Sequence, residues 1–142
     1  MVDLRQAVTQ GLAPDNGLYM PERIPVLPRE FFQSIYQKSF NEISLEVAYN
    51  LIGEDIPYAE LKRIVDHTIQ FEAPVVPIEQ DIFALELFHG PTLAFKDFGA
   101  RFMSQLLGYF AQQQDQEIVI LVATSGDTGS AVANGFLGVA GT

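Results

Sequence analysis

Apolar and polar residues alternate along this chain with two different periods, and the change of period divides it. Between about Leu27 and Phe71 the spacing is helical, and three helices are predicted with short turns between them. The first begins at Pro28, a residue suited to a first turn, and its apolar positions Phe31, Phe32, Ile35 and Tyr36 recur at helical spacing. Ser39 with Glu42 forms a capping box ahead of Ile43, Leu45, Val47, Ala48 and Leu51. Gly53 ends that helix, and Pro57 can open the next, with Leu61, Ile64, Val65 and Ile69 facing inward. Pro74 and Pro77 punctuate the passage to a different pattern. Val75 to Ile78 and Ile82 to Leu87 then read as two strands joined across Gln80-Asp81.

Further on, Phe95, Phe98, Phe102 and Leu106 fall at helical spacing, which predicts a helix opening near Lys96. Glu117 to Ala123 is a short apolar run rich in branched residues, the signature of a strand covered on both faces in a parallel sheet. It leads into the polar loop Thr124-Ser125-Gly126-Asp127-Thr128-Gly129-Ser130, then into Ala131 to Leu137, which is small and helix-compatible. The chain therefore divides into a mainly helical part, residues 1–73, and the beginning of an α/β part, residues 74–142. No internal repeat or low-complexity tract interrupts either.

Two places carry candidate chemistry. Lys96 follows Leu93, Ala94 and Phe95 at the start of a helix, where burial and the positive helix end both disfavour an ammonium. Such a lysine is a candidate amine nucleophile; the competing reading is a stem packed on apolar neighbours with its head in water. The glycine loop stands at the carboxyl end of a predicted strand, where open α/β sheets bind ligands, and its backbone N–H groups can receive an anion. A P-loop is excluded because no lysine follows the glycines, and the dinucleotide fingerprint is excluded because Gly126 and Gly129 supply only G-x-x-G. Ser125, Asp127 and Thr128 could equally serve as simple helix caps.

Leu85 to Phe98, reading LELFHGPTLAFKDF, and Ala123 to Gly129, reading ATSGDTG, together resemble threonine synthase in its bacterial form, a pyridoxal-phosphate enzyme. Gly11 to Pro21 resembles that family's amino-terminal signature, so three blocks in the right order span nearly the whole chain. The resemblance implies a helical leading domain followed by the start of an open sheet of the tryptophan synthase β type. It implies that Lys96 holds pyridoxal 5′-phosphate as an internal aldimine and then moves protons. Ser125, Gly126, Asp127, Thr128 and Gly129 would form the loop for the substrate carboxylate, with Asp127 also approaching the cofactor. The implied reaction is a lyase step of threonine biosynthesis, converting O-phosphohomoserine and water to threonine and phosphate. Asn16 stands where the family often has glycine, a change that a left-handed turn tolerates. Related enzymes usually carry Asn at the position of Asp127. The resemblance implies that the segment usually found before Arg5 is missing, so Met1 is expected to belong to a shortened chain. The family's cofactor-phosphate loop and its partner for the pyridine nitrogen lie beyond Thr142, so the chain reads as the amino-terminal portion of a longer enzyme and is expected to be inactive alone. The alternatives are another pyridoxal-phosphate lyase or dehydratase, or a folded non-catalytic module.

Composition narrows the setting. The 142 residues carry a net charge of −10, which argues against nucleic acid and acidic membranes as partners. A phosphorylated small-molecule substrate then needs a local positive site, for which Arg5, Arg23, Arg29, Lys62, Arg63 and Arg101 are candidates. There is no apolar run of membrane-spanning length and no signal-peptide pattern, so a cytoplasmic enzyme is expected. The absence of cysteine excludes disulfides and thiolate metal sites and says little about compartment. Histidines and carboxylates nowhere cluster at metal-ligand spacing, and no metal is expected. His67 reads as a surface residue, while His89 suits either a turn or a cofactor contact. Asp97, beside Lys96, points about 100° away on a helix and reads as a cap or dipole partner. Oligomeric state is not encoded legibly.

Overall fold

The computed structural model describes residues 1–114 and 117–142, which fall into two compact units, Met1–Asp66 and His67–Thr142. The boundary lies in the last turn of a helix, a few residues ahead of the change in hydrophobic period.

The first unit contains α1 (Leu4–Gln10), α2 (Arg29–Ser34) running into a 3₁₀ turn at Ile35–Gln37, α3 (Phe40–Ile52) and most of α4 (Tyr58–Thr68). The capping box at α3 forms as its sequence dictates: Ser39 Oγ accepts from the Glu42 amide, and the Glu42 carboxylate accepts from the Ser39 amide at 2.7 Å. In α4 the inward stripe is Leu61, Ile64 and Val65, each at most 2 % exposed, with Ile56 just before the helix. Thr68 closes α4, so Ile69 lies outside it and is half-buried. Helix α1 was not anticipated, although its signals are local. Asp3 caps it by accepting from the Gln6 amide at 2.7 Å, and Gly11 ends it at φ 71°. Between α1 and α2 the chain doubles back, bridging Leu12 to Leu18 across a turn in which Asn16 takes φ 65°. That is the left-handed conformation the Asn-for-Gly exchange permits.

The second unit holds an antiparallel hairpin of β1 (Val75–Glu79) and β2 (Ile82–Leu85), then α5 (Lys96–Gln114) and α6 (Asp127–Phe136). Pro77 is tolerated because a two-stranded ribbon has only edge strands, and the ladder shifts register between Pro77 and Glu79. Residues 117–123, predicted to be a strand covered on both faces, form none: Val119, Leu121 and Val122 are 76, 89 and 42 % exposed. A parallel strand exists only with neighbours to receive its hydrogen bonds, and the hairpin is the one sheet among the described residues.

Helix α5 covers Leu106 and half-buries Phe98 and Phe102, as its aromatic spacing suggested, and buries a further stripe of smaller residues. Phe95 is 59 % exposed, whereas Ala100, Ser104, Leu107 and Ala111 are buried along one stripe. Small residues on that stripe let α6 come close. A Cβ placed on Gly135 would lie 3.0 Å from both the carbonyl carbon and the oxygen of Ala100, so backbone meets backbone there. Lys96 with Asp127, Ala100 with Gly135, and Gly108 with Val139 approach one another in the same order along both segments. The two helices therefore run in the same direction, with their N-termini at one end. Among the described residues no helix is long and apolar enough to cross a membrane.

Candidate active site

The site grows from the shared amino end of α5 and α6. Lys96 is the first residue of α5 and Asp127 the first of α6, and the Lys96 Nζ donates to Asp127 Oδ1 at 3.2 Å. The ammonium also lies 4.2 Å from the centre of the Phe95 ring, a cation–π contact. The lysine side chain is 31 % exposed, not buried, and its environment combines a carboxylate and an aromatic face. The sequence placed it in a dry apolar turn, but Leu93 and Phe95 point mainly to solvent, at 74 and 59 % exposure.

The turn ahead of the lysine is tightly made. Leu93 donates its amide to the Gly90 carbonyl, closing a turn with Pro91 and Thr92 inside it, and Leu93 itself takes φ 59°. Asp97 is fully buried and reaches back into this turn, accepting from the Thr92 amide at 2.9 Å and from the Thr92 hydroxyl at 2.6 Å. The sequence read Asp97 as a cap or dipole partner of its own helix; it does stand in the first turn of α5, and its carboxylate also secures the segment before that helix.

The glycine loop is organised by Thr124, a residue the sequence reading did not single out. Its hydroxyl accepts from the Gly126 amide at 3.1 Å and lies 3.3 Å from the Gly126 carbonyl, to which it can donate. Gly126 is the residue before α6 and makes no side-chain cap, so the caps offered by Ser125, Asp127 and Thr128 are not used in that way. The Ser130 hydroxyl donates to the Asp127 carbonyl at 2.9 Å. Gly126 sits in extended backbone, φ −163°, with open space where a Cβ would be; Gly129 has the close approach, since a Cβ there would meet the Thr124 methyl at 2.5 Å. Ser125, Gly126 and Asp127 are exposed and Thr128 and Gly129 half-buried, so the loop is open to a small molecule.

The other candidates sit elsewhere. His89 is hydrogen-bonded to Glu86 at 2.7 Å and stacks on Phe88, with ring centres 4.7 Å apart. Arg101 ties the start of the second unit to α5, its Nη2 donating to the His67 carbonyl at 2.7 Å and to Gln70 Oε1 at 2.6 Å. His67 is itself exposed. Lys62 pairs with Asp66 and Arg63 with Glu60, while Arg5, Arg23 and Arg29 are exposed in the first unit. No group of three or more metal-ligating side chains is found among the described residues.

Residues 1–69 match the family model described as threonine synthase N terminus. The chain is 48 % identical over 138 residues to threonine synthase of Haemophilus influenzae and 45 % identical over 138 residues to that of Escherichia coli. Each alignment covers 97 % of this chain and 32 % of the relative. The crystal structure of the Escherichia coli threonine synthase superposes with a TM-score of 0.89 at 44 % identity, over 99 % of this chain and 32 % of that one. The chain is similar to the amino-terminal third of these threonine synthases. The crystal structure of the pyridoxal-phosphate-bound threonine synthase of Brucella melitensis superposes with a TM-score of 0.91 at 36 % identity, covering 97 % of this chain and 31 % of that one. The agreement extends across both compact units, and the fold is accordingly that of the leading part of these enzymes. This chain spans about a third of the length of the relatives it matches.

Proposed function

We propose that this chain provides the lysine-bearing part of a pyridoxal-phosphate-dependent threonine synthase, a cytoplasmic enzyme that converts O-phosphohomoserine and water to threonine and phosphate. The observation that carries the reading is the meeting of Lys96 and Asp127, 3.2 Å apart, at the common amino end of two parallel helices. Two positive helix ends and one ammonium converge there in a chain whose net charge is −10, which supplies the local positive character a doubly anionic substrate needs.

The residues fit the cofactor. An aldehyde needs an amine it can reach, and the Lys96 side chain is 31 % exposed with a partner that is itself 54 % exposed and easily displaced. At the start of α6 the Gly126 amide is taken by the Thr124 hydroxyl, while the first helical residues Asp127 and Thr128 have no side-chain cap and can offer their N–H groups. When bound, pyridoxal phosphate supplies an electron sink for the carbon bearing the substrate amine. Lys96 would hold the group, and its Nζ, when free, would accept and return a proton. Asp127 orients that amine by its hydrogen bond. The amides of Ser125, Asp127 and Thr128 in the Ser125 to Gly129 loop would receive the substrate carboxylate, while Thr124, holding the Gly126 amide, keeps the loop in shape for it.

Reduction of the cofactor-loaded complete enzyme with borohydride, followed by peptide mapping, tests this reading. The pyridoxyl group is expected on Lys96; finding it on Lys38 or Lys62 with Lys96 unmodified overturns it.

A further inference from the structure

We infer that Asp97 is a positioning residue for Lys96, an assignment that rests on the function proposed above. Three observations converge. Asp97 is the most deeply buried acidic side chain described, with no exposed surface, and both of its oxygens are engaged by Thr92, through the amide at 2.9 Å and the hydroxyl at 2.6 Å. Gly90 packs directly on that carboxylate, because any Cβ at residue 90 would collide with Asp97 Oδ2 and leave no room for both. Leu93, at the end of the same turn, is held at φ 59°, a conformation a leucine adopts only where its surroundings impose it.

Lys96 and Asp97 share a peptide bond, so their side chains leave the first turn of α5 in a fixed relation about 100° apart. Turning that first turn to re-aim Lys96 would pull Asp97 off Thr92 and strand a carboxylate in a dry pocket, which the structure resists strongly. Asp97 therefore acts as the anchor and Lys96 as the pointer. The anchored geometry leaves the ammonium between Asp127 and the Phe95 ring. Thr92 and Gly90 serve the same purpose from the other side, one by donating two hydrogen bonds and the other by having no side chain.

The test reads the aim of the lysine without relying on catalysis. In the 142-residue chain, each of the three lysines is acetylated with a limiting amine reagent and quantified by peptide mass, with Lys38 and Lys62 as internal references. Asp97→Asn and the milder Thr92→Val are expected to raise acetylation of Lys96 several-fold relative to the references, because its ammonium is released from Asp127 and Phe95. Thr92→Ser, which keeps the hydroxyl, is expected to restore the original ratio. An unchanged ratio in both disrupting variants overturns the inference, as does a parallel rise at all three lysines, which would mark general loosening. A second arm traps pyridoxal phosphate with borohydride in the same variants of the complete enzyme, where the share of adduct on Lys96 is expected to fall several-fold. If the unaltered complete enzyme traps no more cofactor on Lys96 than on the references, the proposed function fails, while the acetylation ratio still decides the anchor.

Discussion

The Lys96 ammonium donates to the Asp127 carboxylate across 31 positions of sequence, and the pair exists because α5 and α6 run side by side from the same end. Neither residue approaches the other through local structure. Gly135 and Ala100 determine the contact, by letting the two helix backbones come within reach of each other.

Removing the partner should separate function from stability. Asp127 is more than half exposed, and surface ion pairs of this kind contribute about 0–1 kcal/mol, so Asp127→Ala should barely move the thermal midpoint. In the complete enzyme, turnover should fall by roughly 10²-fold, the scale on which misplacing a reacting group costs rate. Near-normal steady-state kinetics with unaltered cofactor loading would return Asp127 to a bystander at the start of α6.

The glycines separate in the opposite sense. Alanine at Gly135 must push its Cβ into the Ala100 carbonyl group, and overpacking of this type costs about 1–3 kcal/mol. Alanine at Gly126 meets open space in extended backbone and loses only a modest capping preference, so its cost should stay below about 1 kcal/mol. Chemical denaturation of the two variants side by side checks the order. A Gly126→Ala variant less stable than Gly135→Ala would show that helix approach does not govern this unit.

Much of the first unit was legible because its signals are local. A capping box at Ser39 and Glu42, a glycine at the end of α3 and a proline ahead of α4 act within a few residues of themselves. The hairpin was legible for the same reason, with Asp81 adopting φ 62° at its tip. What stayed hidden depends on distant partners. Residues 117–123 have the composition of a buried strand, yet a strand is a relation between neighbours, and composition does not provide them. The Lys96 block marked the start of α5, and along its aromatic spacing Leu106 is buried and Phe98 and Phe102 half-buried, while Phe95 is exposed. The small stripe through Ala100 and Ser104, which looks featureless in a hydropathy pattern, is covered as well. Thr92 and Thr124 escaped notice because a threonine in a loop carries no signal until its partner is known.

Acid should loosen the first unit through two identified carboxylates. The Ser39 amide holds Glu42 below the usual carboxylate range, and Lys62, with help from Asn41, does the same for Asp66. A depressed carboxyl contributes stability that is fully present above its unfolded value, about 4, and is lost as pH falls through the lower folded value. Helicity followed by NMR from pH 7 downward should therefore show the Ser39 amide shifting below about pH 4 as the capping box opens. Glu42→Gln, which cannot titrate, should abolish that shift at Ser39 while leaving the change at Asp66. A Ser39 amide that titrates identically in both proteins would detach the acid response from the box.

The 142-residue chain by itself should not form threonine. Chemistry on a pyridoxal cofactor requires its ring, phosphate and ring nitrogen to be held together to within about half an ångström. Among the described residues, the groups argued above to engage it are Lys96 and Asp127, on one side of the reacting centre. The run from 117 to 123 leaves Leu121 at 89 % and Val119 at 76 % exposure, where a folded enzyme of this class would cover such residues in its sheet. An apolar run left uncovered favours self-association over a defined pocket. The chain should therefore elute from size exclusion with a concentration-dependent volume, and charging Val119 and Leu121 by substitution with lysine should abolish that dependence. Phosphate release from O-phosphohomoserine, measured with added cofactor, should not exceed that of a Lys96→Ala control. Sustained turnover that disappears on Lys96→Ala would show that one side of the reacting centre is sufficient, and would require the loop from Ser125 to Gly129 to hold both substrate and cofactor unaided.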